Sequence, residues 1–308
     1  MAGFLAMFPG QGSQRVGMGS RLLTEFPETK KVFEEAEDTI KVSVRKLCLE
    51  GPEDELQKTA NQQPCILTLS VAVWTVLKNE AGFTPDLFAG HSLGEYSALV
   101  AAEKLEFSKA VSLVRNRGQF MQEAAPAGTG AMAAVIGFDP ETLSGLCKSQ
   151  SEKSDLCVEV VNFNSPAQQI ISGHKSAVEA VCKTLDEQSV RTVMLPVSAP
   201  FHSSLMTPAR DAMQPLLQNL PFGNTGGKVI ANLSGNTEPD YHANLLIDQI
   251  NHPVLWTKSM ETARSEGITH FVEIGPGKVL SGLARRTLPR ECQIIHTENI
   301  TQAISQLS

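Results

Sequence analysis

Leu87-Phe88-Ala89-Gly90-His91-Ser92-Leu93-Gly94 is a short apolar run that breaks into a serine flanked by glycines, and its reading decides the fold. The apolar residues fit a buried strand, and helical spacing resumes from about Leu93 to Ala102, so Ser92 falls on a sharp strand-to-helix turn. Glycines on either side allow such a turn without steric cost and leave the hydroxyl exposed. The helix behind it aims its N-terminal amides at charge developing beside Ser92. The pattern suits acyl transfer through an ester on Ser92, and it equally suits a glycine-rich turn in which Ser92 only caps a helix.

Working outward, Phe4-Leu5-Ala6-Met7-Phe8 is stopped by Pro9-Gly10, as expected for a central strand running into a loop. Helical spacing covers Val32 to Leu49, Ile66 to Leu77 and Ser108 to Ala124. Beyond the middle of the chain come helices at Ser204 to Leu217, Ala243 to Ile250, Lys258 to Ser265 and from near Val279. Between them lie strands at Val229-Ile230-Ala231 and Phe271-Val272-Glu273-Ile274. Strands alternating with helices predict an α/β fold, α/β-hydrolase-like, with a mostly parallel sheet.

A different rhythm occupies the middle of the chain. After Ala125-Pro126-Ala127-Gly128-Thr129-Gly130 the pattern is strand Met132 to Ile136, helix Pro140 to Ser149 and strand Val158 to Phe163. Strand Gln169 to Ser172, helix Ser176 to Gln188 and strand Thr192 to Leu195 follow. This β-α-β-β-α-β order predicts a ferredoxin-like small domain, residues 128–196, inserted into a large domain built from 1–127 and 197–308.

At 308 residues, 42% hydrophobic and 19% charged, the chain has the composition of a globular protein with a sizeable core. No basic segment followed by a long apolar run opens it, and no apolar stretch approaches membrane-spanning length, so a cytoplasmic protein without a membrane segment is expected. Six cysteines lack any C-x-x-C pairing, which argues against a zinc knuckle and for reduced structural thiols. A net charge of −7 argues against nucleic acid as a partner.

A serine nucleophile needs a base, and seven histidines are available. His202, in Ser198-Ala199-Pro200-Phe201-His202-Ser203-Ser204, follows the last strand of the insert on a loop, and it comes after the serine as in α/β-hydrolase-like chains. His91 adjoins Ser92 but points away from it on an extended strand end. The carboxylates between Ser92 and His202 (Asp139, Asp155, Asp186, Glu187) read as exposed or helix-terminal charges, so a Ser-His dyad oriented by a backbone carbonyl is expected. A lone loop histidine is also a common solvated residue. Gly10-Gln11-Gly12-Ser13-Gln14 fails the G-x-G-x-x-G fingerprint because Arg15 stands where glycine is required. The remaining reading is an oxyanion hole from the amides of Gln11 and Leu93, against an ordinary flexible turn. Arg117, alone a surface charge, becomes a bidentate carboxylate grip if buried near Ser92.

Taken together, Pro9-Gly10-Gln11-Gly12-Ser13-Gln14, Gly90-His91-Ser92-Leu93-Gly94-Glu95 and Arg115-Asn116-Arg117-Gly118 resemble the malonyl-CoA:acyl carrier protein transacylase family. Further pieces agree: Asn162-Phe163-Asn164-Ser165-Pro166, Ile171-Ser172-Gly173, the His202 segment, Gln249 ahead of Pro253-Val254-Leu255-Trp256, and Glu273-Ile274-Gly275-Pro276-Gly277. The resemblance runs from end to end of the chain. It implies a ping-pong transfer of malonyl from malonyl-CoA through Ser92 to the phosphopantetheine thiol of acyl carrier protein in fatty acid synthesis. In that scheme His202 is the acid-base, Arg117 pairs the free malonyl carboxylate, and the backbone carbonyl of Gln249 holds His202. No metal or cofactor is implied, since the coenzyme A thioester is the substrate, and a monomer is expected. Two departures stand out, Phe201 before the histidine, which would disfavour branched acyl donors, and Leu255 where relatives carry a polar residue. Docking of an acidic carrier protein would need local basic clusters such as Lys278, Arg285 and Arg286, or Lys183 and Arg191. The competing readings are a serine hydrolase or thioesterase on the same scaffold and a non-catalytic carrier-protein-binding module.

Overall fold

The structure is a computed structural model that describes residues 2–126, 128–197, 199–223 and 225–308. Met1 and Ala127, the ends of the first expected segment, and Ser198 before His202 lie outside them. Among the described residues ten strands make two sheets: β1 Gly3–Phe8, β2 Leu87–Gly90, β3 Gly130–Ile136, β4 Val158–Ser165, β5 Gln168–His174, β6 Arg191–Met194, β7 Lys228–Ile230, β8 Thr237–Glu238, β9 Ile268–Glu273 and β10 Gln293–His296.

The large sheet has the order β10-β9-β1-β2-β7-β8. All its pairings are parallel except β7 with β8, and the register of β1 on β2 runs from Leu5 opposite Leu87 to Phe8 opposite Gly90. The first strand is apolar at every position because both of its faces are covered. Leu5 and Met7 join one core with Trp256, Met260 and Phe271, whereas Ala6 and Phe8 join another with Phe33 and Leu67. Strand order reverses at β1, which has β2 on one side and β9 on the other. In open α/β sheets the crevice beyond the carboxyl ends of strands at such a switch point is where ligands bind. The loops collected there carry Gln11 after β1, Ser92 after β2, Asn232 after β7 and Gly275 after β9.

The small sheet is antiparallel throughout, in the order β4-β5-β3-β6, which bears out the ferredoxin-like pattern. One face packs its Ala133, Val135 and Ile171 against Leu143 of helix Pro140–Ser154 and Val178 and Val181 of helix Lys175–Glu187. The opposite face turns Met132, Ala134 and Ile170 toward the large core. Strand β4 is also tied to the large unit, since Val254 N–H donates to Val161 O (2.9 Å) and Phe163 N–H to Val254 O (3.0 Å).

Most expected elements fall within a few residues of their places. Helix Thr59–Glu80, however, starts seven residues ahead of the expected Ile66 and runs through Pro64. Strands β8 and β10 and helix Ile300–Leu307 were not read from the sequence. No helix among the described residues is long and apolar enough to cross a membrane.

Candidate active site

The elbow forms because its backbone is crowded. A Cβ on Gly90 would lie 1.9 Å from the Gly94 carbonyl, and one on Gly94 would lie 2.0 Å from the Phe8 carbonyl oxygen, so strand β2, the turn and helix Gly94–Ala101 close on β1 only if both are glycine. Ser92 itself is held at φ 52°. A left-handed conformation costs a non-glycine residue about 1–2 kcal/mol, a strain found where surrounding contacts over-determine the backbone. Those contacts are present. Ser92 N–H donates to Asn232 Oδ1 (2.6 Å), and Ser92 O accepts from Gln249 Nε2 (3.0 Å).

Ser92 Oγ lies 2.7 Å from His202 Nε2, and His202 Nδ1 lies 2.8 Å from the carbonyl oxygen of Gln249. A carbonyl only accepts, so Nδ1 carries the ring proton and Nε2 is left as the acceptor for the serine hydroxyl. Burial, reinforced by the nearby Arg117 charge, pushes the His202 pKa down to about 3. The ring is therefore neutral near neutrality. Among the described residues no carboxylate is hydrogen-bonded to His202.

Arg117, on helix Phe107–Glu123, is fully buried behind the serine. Its Nη2 donates to Ser92 Oγ (3.1 Å) and Gln249 Oε1 (2.9 Å), its Nη1 to Gln63 Oε1 (3.0 Å), and its Nε has no partner. The guanidinium sits 5.7 Å from the centre of the Tyr96 ring. A buried carboxylate is close by. Glu95 accepts from Tyr241 Oη (2.5 Å), Gln249 Nε2 (2.5 Å) and the Asn232 N–H (3.2 Å), and burial lifts its pKa to about 7 against those bonds.

The N-terminal loop stands across from the elbow. Gln11 is held by side-chain amides, donating to Gln62 Oε1 (2.5 Å) and accepting from Gln63 Nε2 (3.1 Å), so an amide relay connects it to Arg117. The backbone N–H groups of Gln11 and Leu93 donate to no protein acceptor among the described residues. The Ser92 N–H is already taken by Asn232 and is not free for a ligand. His91 turns to Asn164 Oδ1 (2.8 Å) instead of toward the nucleophile.

Ser92 and His202 open into a cavity of about 320 Å³ whose walls include Gln11 from the first loop, Met132 and Ile170 from the small sheet, and Leu283 from helix Val279–Thr287. That helix is seated by Glu273 at the end of β9, whose carboxylate accepts the N–H groups of Leu280 (3.0 Å) and Ser281 (2.7 Å). The structure thus brings Ser92, His202, Gln11, Leu93, Arg117 and Gln249 to one site. Phe201 also faces the cavity. No group of three or more metal-ligating side chains occurs among the described residues.

Gln62, Gln63, Asn232 and Tyr241 belong to the same cluster and were not singled out by the sequence. Neutral amides carry no motif of their own. A polar residue directly after the apolar run Val229-Ile230-Ala231, at the carboxyl edge of a parallel strand, was the signal available for Asn232.

Residues 6–304 match the acyl transferase domain family, which gives the class that this fold and site belong to. The chain is 44% identical over 291 residues to the malonyl CoA-acyl carrier protein transacylase of Salmonella typhimurium, covering 93% of each protein. A FabD crystal structure from Acinetobacter baumannii superposes with a TM-score of 0.95 at 37% identity, covering 99% of this chain and 98% of that one. A malonyl-transacylase solved in complex with its type II polyketide synthase acyl-carrier protein gives 0.93 at 39% identity, covering 99% and 100%. The chain belongs to the malonyl CoA-acyl carrier protein transacylase family of acyltransferases.

Proposed function

We propose that the chain transfers malonyl from malonyl-CoA to the phosphopantetheine thiol of acyl carrier protein, for fatty acid synthesis, through an ester on Ser92. The observation that carries the roles is the 2.7 Å contact of Ser92 Oγ with a His202 ring whose other nitrogen is fixed by Gln249 O. Ser92 Oγ attacks the thioester carbonyl as its proton passes to His202 Nε2. The tetrahedral oxyanion takes the unengaged N–H groups of Gln11 and Leu93, and collapse expels the coenzyme A thiolate, which leaves with the proton from His202. In the second half-reaction His202 accepts the proton of the carrier thiol, that sulfur attacks the ester, and Ser92 departs with the proton returned.

Arg117 gives the acyl group its identity. Its unpartnered Nε lies on the same edge of the guanidinium as Nη2, and once Nη2 gives up its bond to Ser92 Oγ the two form a fork that fits the free carboxylate of malonyl. An acetyl group leaves that buried donor unsatisfied, which costs about 1–3 kcal/mol or more for a charged group. Phe201 on the cavity wall supports a preference for unbranched donors. Boundaries of 128–196 for the small domain fit the separate antiparallel sheet, and six unpaired cysteines fit a reducing cytoplasm.

Exposed Lys278, Arg285 and Arg286 surround the cavity-lining Val279, Leu280 and Leu283, so this cluster is the proposed seat of an acidic carrier protein. Intact-protein mass spectrometry after incubation with malonyl-CoA tests the reading. One malonyl group per chain, on the peptide holding Ser92 and discharged by carrier protein, is expected. Continuous release of coenzyme A without carrier protein would instead mark a hydrolase.

A further inference from the structure

Asn232 touches the elbow three residues at a time. Its side-chain oxygen accepts the Ser92 N–H (2.6 Å), its side-chain nitrogen donates to Gly90 O (2.6 Å), and its own backbone N–H donates to the Glu95 carboxylate (3.2 Å). It is fully buried and does not line the cavity. Its backbone oxygen in turn accepts the N–H of Leu255, which anchors it to the segment leading into helix Trp256–Ser265.

The two side-chain bonds close a loop across the turn, from the carbonyl of Gly90 to the amide of Ser92. That loop fixes the peptide planes on both sides of His91 and leaves Ser92 in its left-handed conformation. Glu95, in the first turn of helix Gly94–Ala101, supplies the second tie. Its carboxylate also holds Tyr241 Oη and Gln249 Nε2, so the residue that clamps the serine and the residue that orients His202 hang from one buried acceptor. We infer that Asn232 is the positioning residue of the nucleophile elbow, a clamp anchored by Glu95 that sets where Ser92 Oγ stands relative to His202 Nε2 and reserves oxyanion binding for the Gln11 and Leu93 amides.

The inference rests on Ser92 being the nucleophile, which the mass of the malonylated wild-type protein tests separately. Its own test is the first-turnover rate of malonylation and the malonyl-CoA concentration that half-saturates it. Displacing a reacting group by about 1 Å costs on the order of 100-fold in rate. Asn232→Ala is expected to slow the first turnover by about 100-fold and to leave half-saturation within about twofold, since Arg117, the proposed grip on the acyl carboxylate, keeps its own bonds to Gln63 and Gln249. A rate within about twofold of wild type overturns the clamp. So does a rise in the half-saturating concentration as large as the fall in rate, which marks general collapse of the site.

If Asn232→Ala does not fold, Asn232→Asp decides by its pH profile. The ionisable groups around the clamp are Glu95, with Tyr241 and Arg117 packed against it, His202 across Ser92, and His91 between the two clamped peptides, whose pKa burial lowers. Two carboxyls in one buried cluster keep a proton between them. While protonated, the new carboxyl accepts from Ser92 N–H and donates to Gly90 O, and once ionised it repels that carbonyl. The first-turnover rate relative to wild type should therefore fall as pH rises, and a ratio flat with pH overturns the proposal.

Discussion

His202 shows how much a single buried base costs the fold. Its pKa of about 3 in the folded chain, against an ordinary 6.5, means that acidification through 6.5 protonates the unfolded imidazole and not the folded one. Stability rises with pH wherever the unfolded state binds more protons, so this contribution is complete above pH 6.5 and is lost as pH falls toward 3. His202→Asn lacks the titration. Urea denaturation of both proteins at about pH 7.5 and 5.5 should show wild type losing ~1.4 kcal/mol in total to the variant across that range, and a pH-independent difference would refute a neutral buried ring. Arg117 is the matching case for specificity. Truncating one partner of a buried hydrogen-bonded charge pair costs about 2–5 kcal/mol, and each ~1.4 kcal/mol is tenfold. Arg117→Ala should thus lower the malonyl-CoA to acetyl-CoA ratio of kcat/KM by at least about 30-fold. Unchanged selectivity would take the carboxylate role away from it.

Arg117 reaches the serine only because its helix lies unusually close to a neighbour. A Cβ on Gly118 would sit 2.5 Å from Thr59 O and 2.8 Å from Ala60 Cα, so glycine lets helices Phe107–Glu123 and Thr59–Glu80 touch backbone to backbone. Pro64 takes part in the same contact. It lacks the N–H that Ala60 O would otherwise accept one turn back, and that oxygen accepts Arg115 Nη1 instead (2.7 Å). Gly118→Ala forces the helices apart and stretches the Gln63 to Arg117 bond between them. Overpacking of this kind costs about 1–3 kcal/mol, so chemical denaturation should show a loss of that size accompanied by weaker malonyl selectivity. Full stability with wild-type selectivity would show that the close approach is dispensable. This joint also marks where the sequence stops being legible. Proline reads as a break, so a helix was expected only from Ile66, and a guanidinium that satisfies the freed carbonyl from 55 residues away leaves no local trace. Phe4–Phe8 and Leu87–Gly90 were legible because strands buried on both faces are apolar at every position. Ser92 and His202 stood out by their chemistry and Arg117 only through the family resemblance of its segment, whereas Asn232, Gln62 and Gln63 did not, because an amide in a core looks like any surface amide until its partners are known.

At the scale of the whole molecule, the order of the large sheet was beyond local pattern. Pairing β1 with β9 joins residues at opposite ends of the chain, and the short run Gln293–His296 becomes a strand only through its neighbour β9. That closure has a functional consequence, since it brings helix Val279–Thr287, the last long element before the C-terminal segment, over the cavity that the first loop and the elbow begin. A chain of net charge −7 would repel an acidic partner over most of its surface. The same helix carries exposed Arg285 and Arg286 in its last turn, with Lys278 at its start. Lys183, on helix Lys175–Glu187, and Arg191 lie elsewhere, Arg191 at the opposite end of β6 from the cavity-lining Leu195. Rim charges act mainly on association rate and its salt dependence, and interactions of exposed charges are screened over about 10 Å at 0.1 M salt. Arg285→Glu combined with Arg286→Glu should raise the KM for carrier protein several-fold at low salt, with the difference shrinking as salt is added, while malonylation of Ser92 by malonyl-CoA keeps its first-turnover rate. The pair Lys183→Glu and Arg191→Glu serves as the control. Equal effects from both pairs would reduce the helix to part of a general field, and an effect from the control alone would move the docking surface to helix Lys175–Glu187 and the start of β6.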